Sequence, residues 1–229
     1  MEFFVDIADV DAVERVAEFF PINGFTTNPN ILTKSSRSLE ENLKEYKEYI
    51  DKTGFRLFVQ VTAKTAPEMV EQAKILKAYF GDRLVVKLPA IKEGYKACMQ
   101  CRKLGIPICI TVVHSVLQAL MAAKAGAEYA APYVSHIDNI GADGVREVGE
   151  MVRAFERYGY TCKVLGASFR TADQIEKLAA VGCHAVTITP QFFDLLIGHP
   201  STDASLNGFY DAWEKAFGKI QITDAIHGE

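Results

Sequence analysis

The stretch Leu84-Val85-Val86-Lys87-Leu88-Pro89 decides the fold of this chain. It is short and almost wholly apolar, and it lacks the polar alternation of a half-exposed strand, which is typical of a parallel strand covered on both faces. Seven other short apolar runs rich in β-forming residues occur along the sequence. The eight runs are Phe3–Ile7, Gly24–Asn28, Arg56–Thr62, Leu84–Ala90, Pro107–Val113, Tyr129–Ser135, Lys163–Ser168 and Ala185–Thr189.

Longer amphipathic stretches separate these runs. The segment from Ala66 to Phe80 places apolar residues near helical spacing, and so does the segment from Asp173 to Val181, which follows Thr171 as its N-cap. Alternating strands and helices with right-handed crossovers form either an open doubly wound sheet or a closed barrel. Eight such units in 229 residues favour a closed (β/α)₈ barrel, an α/β fold, as a single domain over residues 1–229.

After the eighth strand we predict a helical tail at about residues 202–218. Four aromatic side chains form a stripe along it, and Gly218 can end the helix. The aromatic stripe either packs on its own barrel or contacts a neighbouring subunit, because aromatic residues are enriched at interfaces. The aromatic stripe consists of Phe209, Tyr210, Trp213 and Phe217.

The composition is that of an ordinary globular protein, with 49% hydrophobic and 24% charged residues. A net charge of −4 argues against nucleic acid as a partner, whereas small anionic substrates are compatible with it. No segment has the ~20 apolar residues of a membrane helix, and the N-terminus lacks the pattern of a secretory signal. Five irregularly spaced cysteines predict reduced thiols and a cytoplasmic location.

We predict no metal site and no organic cofactor. Cys98 and Cys101 have the C-x-x-C spacing, but they lie on a predicted helix, and no second pair or nearby histidine completes a zinc site. Buried thiols are the better interpretation of this pair.

Lys87 is the residue that points to chemistry. An ammonium group in a buried strand is costly unless it is paired or loses its proton. Because burial favours the neutral amine, which attacks carbonyl groups, one interpretation is an imine-forming lysine. The other is a lysine that forms an ion pair with a carboxylate inside the barrel, for which Asp6 is the candidate partner.

Other polar residues lie in or directly after the apolar runs, where barrel enzymes carry their catalytic groups. Asp6 can position the lysine or bind a substrate hydroxyl, or it can anchor the following helix. Thr27 and Asn28 end the second run. Asn28 is either an amide donor in the barrel mouth or the N-cap of a helix that begins at Pro29.

The later runs add five more candidates. Gln60 and Thr111 are either internally satisfied core groups or hold a water that relays protons. Tyr133 can act as a general acid or base through water, or it can be a packing residue with a hydrated hydroxyl. Ser168 and Arg170 follow the seventh strand, where barrels often bind phosphate, although Arg170 can equally be a surface residue.

Taken together, several strings resemble the transaldolase-like family, and within it the fructose-6-phosphate aldolase branch. The resemblance covers nearly the whole chain, and the Thr-Thr-Asn-Pro string combined with the strand-four lysine is its most specific part. The strings are Gly24-Phe25-Thr26-Thr27-Asn28-Pro29, Phe58-Val59-Gln60-Val61, Val85-Val86-Lys87-Leu88-Pro89, Gly126-Ala127-Glu128-Tyr129, Ala131-Pro132-Tyr133-Val134 and Val164-Leu165-Gly166-Ala167-Ser168-Phe169.

The resemblance implies an imine on Lys87 without metal or cofactor. Within the family, Gln60 and Tyr133 stand where enzymes that transfer a three-carbon unit usually carry glutamate and phenylalanine, which favours the aldolase branch. Rings of five subunits, sometimes stacked as ten, are usual, with the C-terminal helix reaching a neighbour, so a pentamer or decamer is expected. The implied pocket residues besides the lysine are Asp6, Asn28, Gln60, Thr111, Tyr133 and Ser168.

Two histidines depart from the family pattern. His136 stands where the family usually has an arginine that helps to grip the substrate phosphate, and His114 stands where the aldolase branch usually has tyrosine. Histidine is at most partly charged at neutral pH and cannot make the two-pronged contact of arginine. The phosphate affinity is therefore in question, and Arg170 is a candidate to compensate.

The expected activity is that of a Schiff-base aldolase that cleaves or forms fructose 6-phosphate, with dihydroxyacetone and glyceraldehyde 3-phosphate as the partners of the reaction. One alternative is a transaldolase of the pentose phosphate pathway, which passes the same three-carbon unit between sugar phosphates such as sedoheptulose 7-phosphate and glyceraldehyde 3-phosphate. The other is a catalytically silent barrel that binds a sugar phosphate.

Overall fold

A computed structural model describes residues 1–226 of the chain. Within these residues, eight parallel strands form a closed barrel in sequence order, and β1 pairs with β8 to complete it. The predicted (β/α)₈ barrel is therefore confirmed. The strands are β1 (Glu2–Asp6), β2 (Gly24–Thr26), β3 (Arg56–Gln60), β4 (Leu84–Pro89), β5 (Ile108–Val113), β6 (Tyr129–Pro132), β7 (Lys163–Gly166) and β8 (Ala185–Ile188).

At least one helix follows each strand, and a 3₁₀ turn at Gly81–Arg83 precedes β4. The helices are α1 (Val10–Phe19), α2 (Pro29–Leu32), α3 (Leu39–Thr53), α4 (Ala66–Phe80), α5 (Lys92–Lys103), α6 (Val116–Ala125), α7 (Val134–Asn139), α8 (Gly144–Arg157), α9 (Ala172–Ala180), α10 (Gln191–Ile197) and α11 (Pro200–Phe217).

Local sequence signals explain where several helices begin and end. Thr171 caps α9 as predicted, and its hydroxyl accepts a hydrogen bond from the backbone N–H of Gln174 in a capping box. Ser38 and Glu41 form the same arrangement at the start of α3. That helix ends at Gly54, which has a φ of 73° that favours glycine.

The lower part of the barrel interior is filled by aromatic rings. Phe4 and Phe58 pack edge to face at 4.9 Å between ring centroids, and Phe58 packs on Tyr129 at 5.1 Å. Below them, the guanidinium of Arg56 pairs with Glu128 and also lies over the Tyr129 ring. This packed layer closes the amino-terminal end of the barrel, so any cavity must lie above it.

Strand periodicity places the candidate residues directly above this layer. Side chains two positions apart on a strand point to the same side. Val85 and Cys109 belong to the interior cluster, and the residues two positions later are Lys87 and Thr111. Phe4, Phe58 and Ala185 are likewise interior residues, and they are followed at the same interval by Asp6, Gln60 and Thr187.

Seven of the eight strands end one to three residues before the predicted runs, and β2 and β6 do so where a short helix begins. β2 ends at Thr26, because Asn28 is the extended N-cap of α2. β6 ends at Pro132, because α7 begins at Val134 directly after Tyr133. In both places a short helix replaces the predicted end of the strand.

Strand β5 contains an irregularity next to the candidate site. Its register to β6 shifts between Thr111 and Val113, and Val112 between them has a φ of 62°. A β-branched residue in this left-handed region is strained. The bulge keeps both Thr111 and Val113 buried while Val112 is exposed.

The chain divides into two compact units, residues 1–193 and a tail that begins at Asp194, with α10 crossing the boundary. In the tail, α11 begins with Pro200 at its first position and ends at Gly218, close to the predicted helix. The Trp213 indole N–H donates to the carbonyl of Ile220 at 2.8 Å. No residue of α11 is buried, and which partner the aromatic stripe contacts stays a prediction.

Two further observations concern the chain as a whole. All five cysteines are buried free thiols. Among residues 1–226, no helix has the length and apolar character needed to cross a membrane.

Candidate active site

A cavity of about 270 Å³ opens at the carboxyl ends of the strands, above the aromatic layer. Seven of the ten predicted site residues contribute to its wall, although they come from strands or loops far apart in sequence. This is the end of the barrel at which such enzymes carry their active sites. The seven residues are Asp6, Asn28, Lys87, Thr111, Tyr133, His136 and Ser168.

Lys87 lies at the base of this cavity with only 5% of its surface exposed. Its Nζ donates a hydrogen bond to the backbone carbonyl of Thr27 at 2.8 Å. No carboxylate among residues 1–226 lies within the 4.0 Å of a salt bridge to this nitrogen. The interpretation of Lys87 as a tightly ion-paired structural residue therefore finds no support, and the nitrogen is held by a neutral acceptor.

Asp6 lies beside the lysine and is part of a buried hydroxyl network. The Thr26 hydroxyl donates to Asp6 Oδ1 at 2.7 Å and lies 2.6 Å from the hydroxyl of Thr187. Burial raises the pKa of the Asp6 carboxyl above its ordinary value, while the charge of Lys87 and the Thr26 hydrogen bond act in the opposite direction. A carboxylate with a raised pKa is a stronger base than one in water.

Asn28 is the N-cap of α2, as predicted, and it also lies in the cavity wall, while its role as a donor to a ligand stays a prediction. Its side-chain oxygen accepts a hydrogen bond from the backbone N–H of Ile31 at 3.0 Å, so it caps α2, with Pro29 at the first helical position. Its side chain also lines the cavity. The cap fixes the orientation of the amide, which leaves the amide nitrogen available to a ligand.

Tyr133 and Thr111 face each other across the cavity wall. The two hydroxyl oxygens are 3.5 Å apart. Tyr133 is the last residue before α7 and forms a single parallel bridge to Ala167, which fixes the backbone below the phenol. A hydroxyl pair at this separation can hold a water between the phenol and a substrate.

Two rings of the cavity wall, those of Tyr133 and His136, pack with a third ring, that of His114. The imidazoles of His114 and His136 stack at 5.9 Å with 28° between their planes, and the Tyr133 ring lies edge to face with His136 at 5.2 Å. His136 lines the cavity, which the sequence alone left open. Next to these rings, the hydroxyls of Ser135 and Ser168 are 2.9 Å apart.

Three predicted site residues do not line the cavity. Gln60 ends β3 in register with Lys87 but contributes nothing to the wall. The Thr27 hydroxyl donates to the carbonyl of Phe58, so only the backbone of Thr27 reaches the lysine. Arg170 is exposed and lies outside the cavity wall, two residues after Ser168, where φ is 62°. Roles for these three stay predictions.

Sequence reasoning missed several residues of the cavity. Thr187 is the most informative, since it joins the Asp6 network. Like Thr111, it is a polar residue inside an apolar strand run, so the same signal was present. Asn30 and Ile31 gave no such signal, because they enter the wall only through the turn of α2.

A second cleft of about 620 Å³ adjoins the cavity and shares Asp6 and Ile31 with it. Three of its charged lining residues are joined, since Arg37 pairs with Asp9 at 3.0 Å and with Asp11 at 2.9 Å. Among residues 1–226, no group of three or more histidine, cysteine, aspartate or glutamate side chains is placed to hold a metal ion.

Solved structures share the fold of this chain. A mandelate oxidase mutant with a C4a-OH-FMN adduct superposes with a TM-score of 0.57 at 18% identity, over 82% of this chain and 65% of that chain. Another mandelate oxidase mutant, with 2-hydroxy-phenylacetamide, superposes with a TM-score of 0.56 at 19% identity, over 82% of this chain and 64% of that chain. At these identities the similarity shows a barrel fold and nothing about activity.

Sequence comparisons are more specific. The family model described as "Transaldolase/Fructose-6-phosphate aldolase" matches residues 3–225. The "Probable transaldolase 2" of Listeria monocytogenes is 37% identical over 214 residues, which are 93% of this chain and 96% of that protein. The "Probable transaldolase" of Symbiobacterium thermophilum is 33% identical over 222 residues, 96% of this chain and 100% of that protein. The chain therefore belongs to the transaldolase/fructose-6-phosphate aldolase family and is an enzyme of the aldolase or transaldolase type.

Proposed function

We propose that the enzyme is a Schiff-base aldolase that cleaves and forms fructose 6-phosphate through an imine on Lys87. The products of cleavage are dihydroxyacetone and glyceraldehyde 3-phosphate. The observation that supports this proposal best is the environment of Lys87. Lys87 is almost completely buried and lines a cavity, and its nitrogen is hydrogen-bonded to a carbonyl rather than paired with a carboxylate.

The reaction begins with attack by the neutral amine of Lys87 on the keto carbon. Loss of water gives an iminium, whose positive nitrogen accepts electrons from the neighbouring carbon–carbon bond. The bond between the third and fourth carbons then breaks, the fourth carbon leaves as an aldehyde, and its hydroxyl proton goes to a base. We assign that base to Asp6, which borders the cavity and has a raised pKa.

Cleavage leaves a three-carbon enamine on Lys87. Its nucleophilic carbon takes a proton, and hydrolysis of the resulting imine releases dihydroxyacetone and restores the amine. We assign this proton to a water held by the hydroxyls of Tyr133 and Thr111, which lie 3.5 Å apart on the cavity wall. Gln60, at the end of the neighbouring strand, is a further candidate to hold this water.

A transaldolase is the second candidate, because the relatives at 33–37% identity are named probable transaldolases. This reaction uses the same imine but passes the enamine to a second sugar phosphate, as in the pentose phosphate pathway. Release of dihydroxyacetone in the absence of any acceptor aldehyde distinguishes the aldolase from the transaldolase. Product formation that strictly requires erythrose 4-phosphate would favour the transaldolase.

The test of the imine is borohydride trapping, read by peptide mass. With fructose 6-phosphate present, we expect a mass increase on the peptide that contains Lys87. The Lys87→Arg variant keeps the charge but should lose both trapping and cleavage, by at least about 10³-fold in kcat. Lys92→Arg, an exposed lysine outside the cavity, is the matched control and should behave as the wild type.

Two outcomes would contradict the proposal. Appreciable cleavage by Lys87→Arg would show that the imine is not required. Binding of a sugar phosphate without trapping on any lysine would favour the catalytically silent barrel.

We also propose a homo-oligomer, a pentamer or decamer, in which the aromatic stripe of α11 contacts a neighbouring subunit. The four side chains of the stripe are exposed by 69%, 66%, 37% and 56% in sequence order. Aromatic residues with this exposure are frequent at subunit interfaces. A cytoplasmic location is proposed as well, since five free thiols are typical of a reducing compartment.

A further inference from the structure

We propose that the enzyme does not recognise a charge at the end of the substrate farthest from Lys87, so that it discriminates little between unphosphorylated and phosphorylated ketoses and aldehydes. His136 is the residue that determines this specificity. The inference rests on the proposed imine chemistry and narrows its substrate class. Fructose 6-phosphate remains a substrate, but its phosphate is not a recognition element.

The first argument is the charge of the cavity wall. Among its lining residues, the side chains with a formal charge are Asp6 and Lys87. Lys87 bonds to the keto carbon, which lies toward the opposite end of the sugar from the terminal group. A phosphate dianion in such a cavity would lose water without gaining a cation, which is costly.

The second argument is the chemistry of the mouth. His136 lines the cavity and stacks on His114, and the other nitrogen-bearing side chains of the wall, apart from Lys87, are the neutral amides of Asn28 and Asn30. His114 Nδ1 lies 3.0 Å from the carbonyl of Val112, at the bulge of β5, and this contact orients the ring. Imidazole offers at most a single point contact to an anion, whereas it can exchange hydrogen bonds with a sugar hydroxyl.

The third argument is that the start of α7, which carries His136, offers no anion site. The N–H groups of Val134 and Ser135 donate to the carbonyls of Ala167 and Ser168, each at 2.9 Å. The N–H of His136 donates to Tyr133 at 3.1 Å. The start of α7 is thus occupied by backbone acceptors, and the nearby serine hydroxyls lie within hydrogen-bond distance of each other.

The fourth argument concerns nearby cations. Arg170 is exposed and does not line the cavity. In the adjoining cleft, Arg37 is held by three carboxylates at 2.9–3.0 Å, and Lys34 lines that cleft but not the cavity. Within residues 1–226, Lys87 is the one lysine or arginine that lines the cavity itself. The acidic groups of the cleft are Asp6, Asp9 and Asp11.

The test compares two acceptor aldehydes that differ only in phosphate. Dihydroxyacetone is the donor, and kcat/KM is measured for glyceraldehyde and for glyceraldehyde 3-phosphate. We expect the wild type to prefer the phosphorylated aldehyde by less than about tenfold, because the charge-assisted contacts that would discriminate are missing. A preference above about tenfold overturns the inference.

Variants of His136 identify the residue responsible. His136→Arg supplies a two-pronged cation and should raise the preference for the phosphorylated aldehyde at least about tenfold, mainly through KM. His136→Gln, which is neutral, is the matched control and should keep the wild-type preference. An unchanged preference in His136→Arg would show that His136 does not set the specificity.

A measurement on the wild type alone covers the case in which a variant fails to fold. We expect inorganic phosphate at millimolar concentration not to compete with glyceraldehyde 3-phosphate. Competition would reveal a phosphate site in the mouth and overturn the inference.

Dihydroxyacetone alone separates this inference from the proposed function. Dihydroxyacetone can form the imine, but it lacks the part of the sugar that would reach the cavity mouth. Borohydride should therefore trap it on Lys87 whether or not the mouth recognises a phosphate. If dihydroxyacetone is not trapped, the proposed imine on Lys87 is itself contradicted. Trapping together with a strong preference for the phosphorylated aldehyde removes only the inference about the far end of the substrate.

Discussion

Asp6 is a carboxylate whose surroundings oppose its ionisation. Burial raises the pKa of this group, and the attraction of Lys87 and the Thr26 hydrogen bond offset only part of the effect. A folded-state pKa above the unfolded value lowers stability as pH rises through the interval between the two values. The residue proposed as a catalytic base therefore destabilises the fold near neutral pH.

Replacing Asp6 with asparagine should make the protein more stable at about pH 7, because the variant has no charge to bury and can still accept the Thr26 hydrogen bond. The gain should shrink toward about pH 4, near the ordinary aspartate pKa of 3.8, where the unfolded wild type is also protonated. Urea unfolding of both proteins at the two pH values measures the difference, and cleavage should fall at the same time.

Asp82→Asn is a control of opposite sign. A hydrogen bond from Lys77 lowers the pKa of the Asp82 carboxyl, so its ionised form contributes stability that is lost as pH falls through the folded-state pKa. This variant should be slightly less stable than the wild type at about pH 7. An equal gain from Asp6→Asn at both pH values would contradict the assigned cause.

Tyr133→Phe tests the proposed transfer of a proton to the enamine on Lys87. We expect kcat to fall by about 10²-fold, because the enamine loses its proton source, while trapping on Lys87 persists. The longer-lived enamine should also favour transfer to an added acceptor over release. Tyr158→Phe, at an exposed tyrosine outside the cavity, is the control, and an unchanged ratio of cleavage to transfer would remove Tyr133 from this role.

At the scale of secondary-structure elements, α5 packs against the carboxyl end of β4, the strand that carries Lys87. Gly94 in this helix lies so close to β4 that a Cβ atom would be 1.9 Å from the carbonyl oxygen of Pro89. Pro89 is two residues after Lys87 on the same strand. The glycine therefore allows the helix to approach, and the approach fixes the backbone near the lysine.

Gly94→Ala should lower the free energy of unfolding by at least about 2 kcal/mol, since a backbone atom cannot move aside as a flexible side chain can. Cleavage should fall as well if the strand end shifts. Gly208→Ala is the control, because this glycine lies in the interior of α11 and no atom lies within 4 Å of the added carbon. The free energy of unfolding of this variant should rise by about 0.5–1 kcal/mol, since alanine favours the helix. Urea unfolding of both variants measures these changes in the free energy of unfolding. A Gly94→Ala variant as stable as the wild type would contradict the close packing of α5 on β4.

At the scale of the whole molecule, the aromatic stripe of α11 provides a test of assembly. We expect the wild type to sediment as a pentamer or decamer. The double variant Phe209→Ser, Phe217→Ser should shift toward smaller species, because two apolar anchors become polar. Tyr158→Ser changes an aromatic residue of similar exposure outside the tail and should keep the size of the assembly, whereas a monomeric wild type would contradict the proposal.

The sequence by itself determined the barrel and the identity of its central lysine. Eight apolar runs separated by helical stretches specify strands and helices through local periodicity, and Lys87 is detectable because a charge in such a run is costly. Period-two spacing even places Asp6 and Thr111 above the core, since it requires no knowledge of other strands.

Tertiary structure alone decided what these residues contact. Lys87 donates a hydrogen bond to the Thr27 carbonyl rather than to a carboxylate, and Thr187 joins the Asp6 network. Both contacts depend on the register and closure of strands that are far apart in sequence. The stacking of His136 on His114 depends on the bulge in β5 and the start of α7. Such contacts join distant segments, so no local pattern encodes them, and only the closed barrel brings the groups together.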